Sequence, residues 1–204
     1  MDLAKLFQLQ RQLDEHIEKE HPRKPGEDRL AKKILALMVE LGELANEWRG
    51  FKFWSNDQEP RTGGECSCDD GYIDVYMGHG VVEQDICPRC EGMGELPNTL
   101  LEEYVDCLHF VLSIGLEIKY GTEYNPDPEI NVFVSNATYK EKNVINQFVL
   151  VFEHASAMSN DDYYFELFAS FIHLGEMLGF TWKEIEEAYL RKNAINHERQ
   201  ETGY

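Results

Sequence analysis

Two predicted helices carry pairs of acidic residues inside apolar sequence, and this feature limits how the chain can pack. In "ILALMVELGELANEWRG", residues 34–50, Glu40 and Glu43 are three positions apart and share a helix face. In "LLEEYVDCLHFVLSIGLE", residues 100–117, Glu103 and Asp106 repeat this spacing. Carboxylates are rarely buried without a partner, so both pairs need either solvent or cations.

The two acidic pairs predict a metal site if their helices pack antiparallel, because the four carboxylates would then converge. Clusters of oxygen ligands suit hard cations such as Mg²⁺ or Mn²⁺, and Mg²⁺ usually takes further ligands from substrate phosphates. The alternative is that each pair lies on the solvated face of an amphipathic helix. The spacing alone leaves both interpretations open, and two such pairs favour the metal site.

The rest of the chain predicts an all-α protein of one domain with a small insertion. The sequence has 204 residues, of which 43% are hydrophobic, which is enough for one sizeable core. Helical spacing of apolar residues predicts a bundle of about five main helices. Its segments run over about 2–20, 29–49, 99–121, 137–158, 161–178 and 181–200. We place the helical domain at 1–55 and 99–204, and the insertion at 56–98.

Two helix starts carry a capping-box signature, in which a threonine is followed three residues later by a glutamate. The first is Thr99 with Glu102, and the second is Thr181 with Glu184. Gly50 and Gly121 are placed to end the second and third helices. These signals predict where the helices begin and end.

The charge of the chain restricts its partners. Its 38 acidic and 19 basic residues give a net charge of -19, which repels the phosphate backbone of nucleic acids. Neither a membrane-spanning apolar run nor a signal-peptide pattern is found, so we expect a cytoplasmic protein that binds no nucleic acid and no membrane.

The insertion predicts a small zinc module. Strand-like runs at 72–77 and 81–86 flank the turn "GHG", which indicates a β-hairpin. Cys66 and Cys68 precede this hairpin, and Cys87 and Cys90 follow it. Four thiolates so placed can bind one structural Zn²⁺ tetrahedrally, and a closed Cys₄ site leaves no position for catalysis. Free thiols are the less favoured alternative.

Five segments of the chain, in order, resemble the dimeric dUTPases of the all-α nucleoside triphosphate pyrophosphohydrolase superfamily. They are "LQRQLD", the two acidic helices, the aromatic loop "FKFW" and the C-terminal "YLRKNAINHERQETGY". The resemblance covers nearly the whole chain outside about 56–98. It implies an all-α homodimer that hydrolyses dUTP to dUMP and pyrophosphate.

The resemblance also assigns roles to individual residues. Glu40, Glu43, Glu103 and Asp106 would hold two or three Mg²⁺ ions, and Glu40 or Glu43 would activate the water that attacks the α-phosphate. Gln10 and Asp14 would read the uracil edge, although some relatives have Asn where this chain has Asp14. The remaining substrate contacts would come from Trp54, His109, Lys192, Asn196, Arg199 and Tyr204.

Several of these substrate residues also have a plain structural interpretation. Lys192, Asn196 and Arg199 share one helix face and could contact phosphate, but cations near a helix C-terminus also complement its dipole. Trp54 and His109 could equally be packing residues. Two other functions stay open: a pyrophosphohydrolase of another nucleotide such as dCTP, with Asp14 and the insertion as the places where specificity would differ, or a non-catalytic interaction protein that uses the zinc hairpin.

Overall fold

The computed structural model describes residues 2–118, 134, 137–158 and 163–203, and this part of the chain is predominantly helical. Its α-helices are α1 (Leu3–Glu20), α2 (Arg29–Trp48), α3 (Thr99–Glu117), α4 (Val144–Ala157), α5 (Tyr164–Met177) and α6 (Trp182–Thr202). The strands β1 (Gly64–Glu65), β2 (Tyr72–Gly78), β3 (Val81–Ile86) and β4 (Glu95–Leu96) all lie between α2 and α3. The all-α class is confirmed, with six described helices where about five were expected.

The helix boundaries confirm some sequence signals and correct others. Thr181 and Glu184 form the predicted capping box at the start of α6. The box predicted at Thr99 is wrong, because Asn98 is the N-cap of α3 and accepts from the backbone N–H of Leu101. Helix α2 ends one residue before Arg49, which itself takes the left-handed conformation expected of Gly50.

Helix α4 begins later than predicted. Residues Ala137–Tyr139 form a separate 3₁₀ turn, and the α-helix starts only at Val144. The side chain of Asn143 accepts from the N–H of Asn146 and so supplies a cap that interrupts a continuous helix. The predicted helix end at Gly121 and the start near Asp161 lie outside the described residues.

Helix α3 forms the centre of the bundle, and two tyrosines fix how it packs on α5. Tyr104 of α3 reaches Gly175 of α5, where an added Cβ would lie 2.4 Å from its hydroxyl. Tyr164 of α5 makes the reciprocal contact with Gly115 of α3. Both rings are fully buried, and their hydroxyls donate to backbone carbonyls of the facing helix. These contacts require α3 and α5 to run antiparallel.

Helices α1 and α6 run parallel to each other beside α3. Near their N-terminal ends, Lys5 of α1 forms an ion pair with Glu186 of α6 at 2.7 Å. Eleven residues further along each helix, His16 and His197 approach to 2.9 Å between their Nδ1 atoms. The parallel alignment brings the polar residues of both helices to one side of the bundle.

The insertion forms the predicted hairpin on a short neck. Strands β2 and β3 pair antiparallel, and β1 pairs with β4 to close the neck. At the base of the hairpin, Gly71 packs against Gly92 so closely that a Cβ at Gly71 would lie 2.2 Å from the Gly92 carbonyl oxygen. No helix within the described residues is long and apolar enough to cross a membrane.

Candidate active site

Helices α2 and α3 run antiparallel and bring acidic side chains together as the sequence predicted. Carboxylate oxygens of Glu40, Glu43 and Glu103 all lie within 4.8 Å of one another, and we call these residues the carboxylate cluster. One turn toward the insertion, Thr99 of α3 hydrogen-bonds the carboxylate of Glu47. Glu47 therefore serves as a helix–helix contact and lies outside the cluster.

The electrostatics of the carboxylate cluster favour a bound cation. Partial burial, followed by repulsion from Asp106 and Glu43, raises the pKa of Glu103 to about 7. Burial and the same kind of repulsion also raise the pKa of Glu40. Among the described residues, the buried Oε2 of Glu103 has no hydrogen-bond partner. Three crowded oxygen ligands, one of them unpartnered, match the donor set that Mg²⁺ or Mn²⁺ prefers.

Asp106 lies beside the cluster but contacts a protein cation. Lys192 of α6 donates to Asp106 Oδ2 at 2.5 Å, and both side chains are largely buried. Burial raises the pKa of Asp106, while the hydrogen bond and charge of Lys192 act in the opposite direction. The sequence shows no cation next to either acidic pair, because Lys192 lies on another helix, 86 positions from Asp106.

A cavity of about 1050 Å³ extends from the carboxylates to the polar face of α1. Its lining includes Glu40 and Asp106 at one end and these predicted substrate residues: Gln10, Asp14, His109, Asn196 and Arg199. Phe110 also lines the cavity, and the sequence analysis did not single it out. Its spacing on the helix does not distinguish it from the apolar residues of the core.

Among the described residues, two predicted substrate residues, Trp54 and Lys192, do not line this cavity. Trp54 is 65% exposed and does not line it; its ring instead packs edge-on against Phe51 and Phe53. Tyr204 lies outside the described residues. Their roles in substrate binding stay predictions.

A hydrogen-bonded network surrounds Gln10, which is only 2% exposed. Its amide nitrogen donates to Asp14 Oδ1 at 2.7 Å. Its carbonyl oxygen lies 2.8 Å from both the Tyr189 hydroxyl and His109 Nδ1, and the two rings stack at 4.1 Å. The predicted i, i+4 pair on α1 therefore acts as one unit with a tyrosine that the sequence did not single out.

The other oxygen of Asp14 is also engaged. Its Oδ2 accepts from the Ser113 hydroxyl at 2.6 Å and from the Lys33 ammonium at 3.2 Å. Lys33 additionally contacts Glu117, whose pKa is held at about 2 chiefly by a hydrogen bond from Arg23. This end of the cavity is therefore a compact set of paired charges.

The four cysteines of the insertion converge in a second cluster. Their four Sγ atoms all lie within 4.8 Å of one another; they belong to Cys66, Cys68, Cys87 and Cys90. The Sγ atoms of Cys66 and Cys87 are 3.7 Å apart, and those of Cys68 and Cys90 are 3.5 Å apart. These distances are too long for disulfides, so the cluster is a set of four free thiols.

The chain matches a known protein family. A family model described as dUTPase matches residues 2–75 and 94–204. The unmatched stretch, 76–93, begins within β2 and includes β3 and the second cysteine pair. No curated protein matches the chain.

Proposed function

The chain belongs to the all-α dUTPase family and is a dUTP diphosphatase, and from this we propose that its carboxylate cluster and Asp106 hold Mg²⁺ for attack of water on the α-phosphate. The products would be dUMP and pyrophosphate. The observation that carries the proposal is the cluster itself, since three carboxylates within 4.8 Å include one buried oxygen without a partner. Mutual repulsion would make this arrangement costly without a cation.

The chain's own residues would divide the remaining work. Bound Mg²⁺ would neutralise the charge that develops on the triphosphate. Glu40 or Glu43 would orient the attacking water and accept its proton, because both carboxylates belong to the cluster. Asn196 and Arg199 line the same cavity and are placed to contact phosphate oxygens.

Lys192 would change partners when substrate binds. Its ammonium is hydrogen-bonded to Asp106 at the edge of the cluster. If Asp106 became a metal ligand, the ammonium would be released toward the triphosphate that arrives with the metal. The base would lie at the other end of the cavity, beside Gln10, Asp14 and His109, with Phe110 as an apolar wall.

Measurement of pyrophosphate release from dUTP, with and without Mg²⁺, tests this proposal. We expect turnover that requires Mg²⁺ and falls at least about a hundredfold in Glu43→Gln, which is the usual size of a lost general base. Glu102→Gln is the matched control, because Glu102 is an exposed acid next to the cluster residue Glu103. Turnover without a divalent cation, or an unaffected Glu43→Gln, would contradict the metal-assisted mechanism.

The cysteine cluster would hold one structural Zn²⁺. Four sulfurs at these separations can close into a tetrahedral site with little movement. Backbone N–H groups of Arg89 and Cys90 lower the pKa of Cys87 to about 7, which favours the thiolate that binds metal. Metal analysis of purified protein should find close to one zinc per chain. Cysteines that form no disulfide also suit the reducing cytoplasm, where we place the protein.

A homodimer would cover apolar side chains that the described chain leaves exposed. On α2, Leu35 and Val39 are 63% and 52% exposed, and on α4, Ile145 and Val149 are 48% and 51% exposed. Each pair has i, i+4 spacing and forms an apolar ridge. Light scattering should give twice the mass of one chain, and Leu35→Glu should shift it toward the monomer.

A further inference from the structure

The hydrogen bonds around Gln10 determine which atom of His109 carries its proton. Asp14 accepts from an amide, a hydroxyl and the ammonium of Lys33, so it acts as an ionised carboxylate that can only accept. Gln10 must therefore direct its amide nitrogen toward Asp14 and its carbonyl oxygen toward His109. Because that oxygen has no proton to give, His109 Nδ1 is the donor across their 2.8 Å contact.

His109 consequently presents a bare nitrogen as an acceptor. A ring that carries its only proton on Nδ1 has a lone pair on Nε2. Burial lowers the pKa of His109 to about 3, which is consistent with a neutral ring. Within the described part of the chain, His109 Nε2 is buried without any hydrogen-bond partner, and His109 lines the cavity. An orphaned acceptor at this position is suited to a donor from a ligand.

The remaining hydrogen-bonding capacity of this pocket is weighted toward acceptors. Gln10 retains one free amide hydrogen, because its other hydrogen is directed to Asp14. Asp14 Oδ1 retains one lone pair, and His109 Nε2 retains another. Lys33 adds no donor, since its three hydrogens match contacts to Asp14, Glu117 and the Ser113 carbonyl. Gln10, Asp14, His109 and Lys33 together thus retain one donor and two acceptors for a ligand.

Cytosine matches this inventory better than uracil does. Uracil presents oxygen, N–H and oxygen along its edge, so it can use one acceptor of the pocket and leaves the other facing an oxygen or empty. Cytosine presents an amino group with two hydrogens beside an unprotonated ring nitrogen. Its amino group can donate to both Asp14 and His109, while its ring nitrogen accepts from Gln10. That makes three hydrogen bonds for cytosine and two for uracil.

We propose that Asp14, acting with the bare Nε2 of His109, makes dCTP a second substrate of this enzyme. The proposal rests on the diphosphatase activity proposed above and adds the base that the site accepts. An asparagine at position 14 would replace one acceptor oxygen by an amide group, whose two hydrogens suit one oxygen of uracil and the hydroxyl of Ser113, which can rotate to accept. Lys33 would lose its acceptor at this position and keep Glu117 and the Ser113 carbonyl.

The test compares kcat/KM for dCTP and dUTP in the wild-type protein and in Asp14→Asn, both loaded with Mg²⁺. We expect the wild-type ratio of kcat/KM for dCTP to kcat/KM for dUTP to be at least about one to ten. In Asp14→Asn this ratio should fall at least about tenfold, which is the usual effect of one mismatched hydrogen bond in a buried site. Glu20→Gln removes the same charge from an exposed position on α1 and should leave the ratio unchanged. A wild-type ratio below one to ten, or a ratio that Asp14→Asn does not lower, overturns the proposal.

A binding measurement separates this proposal from the proposed reaction. Calorimetric titration with dCMP and dUMP, without added Mg²⁺, reports on the base pocket alone. If neither triphosphate is cleaved but dCMP binds at least as tightly as dUMP, the hydrolytic function fails and the pocket assignment stands. If dUTP is cleaved and dCMP binds more than tenfold more weakly than dUMP, the cytosine assignment is wrong and the diphosphatase stands. Thermal unfolding of Asp14→Asn checks that the variant is folded.

Discussion

Replacement of Lys192 by methionine should tighten Mg²⁺ binding to the nucleotide-free protein. Lys192 Nζ lies 2.5 Å from Asp106 Oδ2, and the two side chains are only 21% and 18% exposed. A cation that takes Asp106 as a ligand must displace this ammonium. A charge-assisted hydrogen bond contributes about 1.5–3 kcal/mol, and 1.4 kcal/mol corresponds to about tenfold in affinity. The variant should therefore bind Mg²⁺ about ten- to a hundredfold more tightly.

The same substitution should weaken nucleotide binding, because the triphosphate loses a positive charge. Calorimetric titration with Mg²⁺ at constant ionic strength measures the change in Mg²⁺ affinity, and KM for dUTP measures the change in nucleotide binding. Lys5→Met is the control, since it removes an exposed lysine whose 2.7 Å pair with Glu186 is remote in sequence from the cluster residues. Unchanged or weaker Mg²⁺ binding by Lys192→Met would refute the idea that lysine and metal compete for Asp106.

Four further substitutions test the packing and the paired charges. Gly175→Ala should lower the free energy of unfolding in urea by about 1–3 kcal/mol, because its Cβ would lie 2.4 Å from a buried tyrosine hydroxyl. An added Cβ at Gly42 would meet nothing within 4 Å, so Gly42→Ala should instead raise the free energy of unfolding by about 0.5–1 kcal/mol. Gly71→Ala should lower the zinc content per chain, measured by elemental analysis, because its Cβ would overlap a backbone carbonyl in the cysteine module. Arg23 lowers the pKa of Glu117 from 4.5 to about 2. The contribution of this ion pair to the stability of the folded protein is therefore complete above pH 4.5 and is lost as the pH falls toward 2. Glu117→Gln should accordingly lose less stability than wild type between neutral and acidic pH, as judged by urea midpoints.

The sequence predicted the parts of the fold that depend on local spacing. Three of the four acidic residues at i, i+3 on the two apolar helices converge, while Asp106 pairs with Lys192, and the paired cysteines at both ends of the hairpin do meet. The Thr181 capping box is also present. Each of these features follows from which side chains share a helix face or flank one turn, and residues a few positions apart determine that.

Contacts between distant helices could not be predicted in this way. The pairing of Lys192 with Asp106 depends on how α6 packs against α3, and the spacing of residues within either helix does not predict that packing. The stacking of His109 on Tyr189 could not be predicted for the same reason. The start of α3 was misassigned because Asn98 and Thr99 are both good capping residues, and the contact of Thr99 with the end of α2 decides between them.

The junction between α2 and α3 explains how the chain carries the cysteine cluster between its two acidic helices. The backbone N–H of Arg61 donates to the Glu47 carbonyl at 3.0 Å, and the N–H of Leu100 donates to the Arg61 carbonyl at 3.1 Å. Together with the hydrogen bond from Thr99 to the Glu47 carboxylate, these contacts fasten the end of α2 to the start of α3. The carboxylate cluster begins one turn inside this junction, and the cysteines lie beyond the β1–β4 neck on its other side. The antiparallel register that brings the carboxylates together is therefore fastened by contacts at the helix ends and at Arg61, so the part of the insertion beyond the β1–β4 neck can vary without moving the carboxylates.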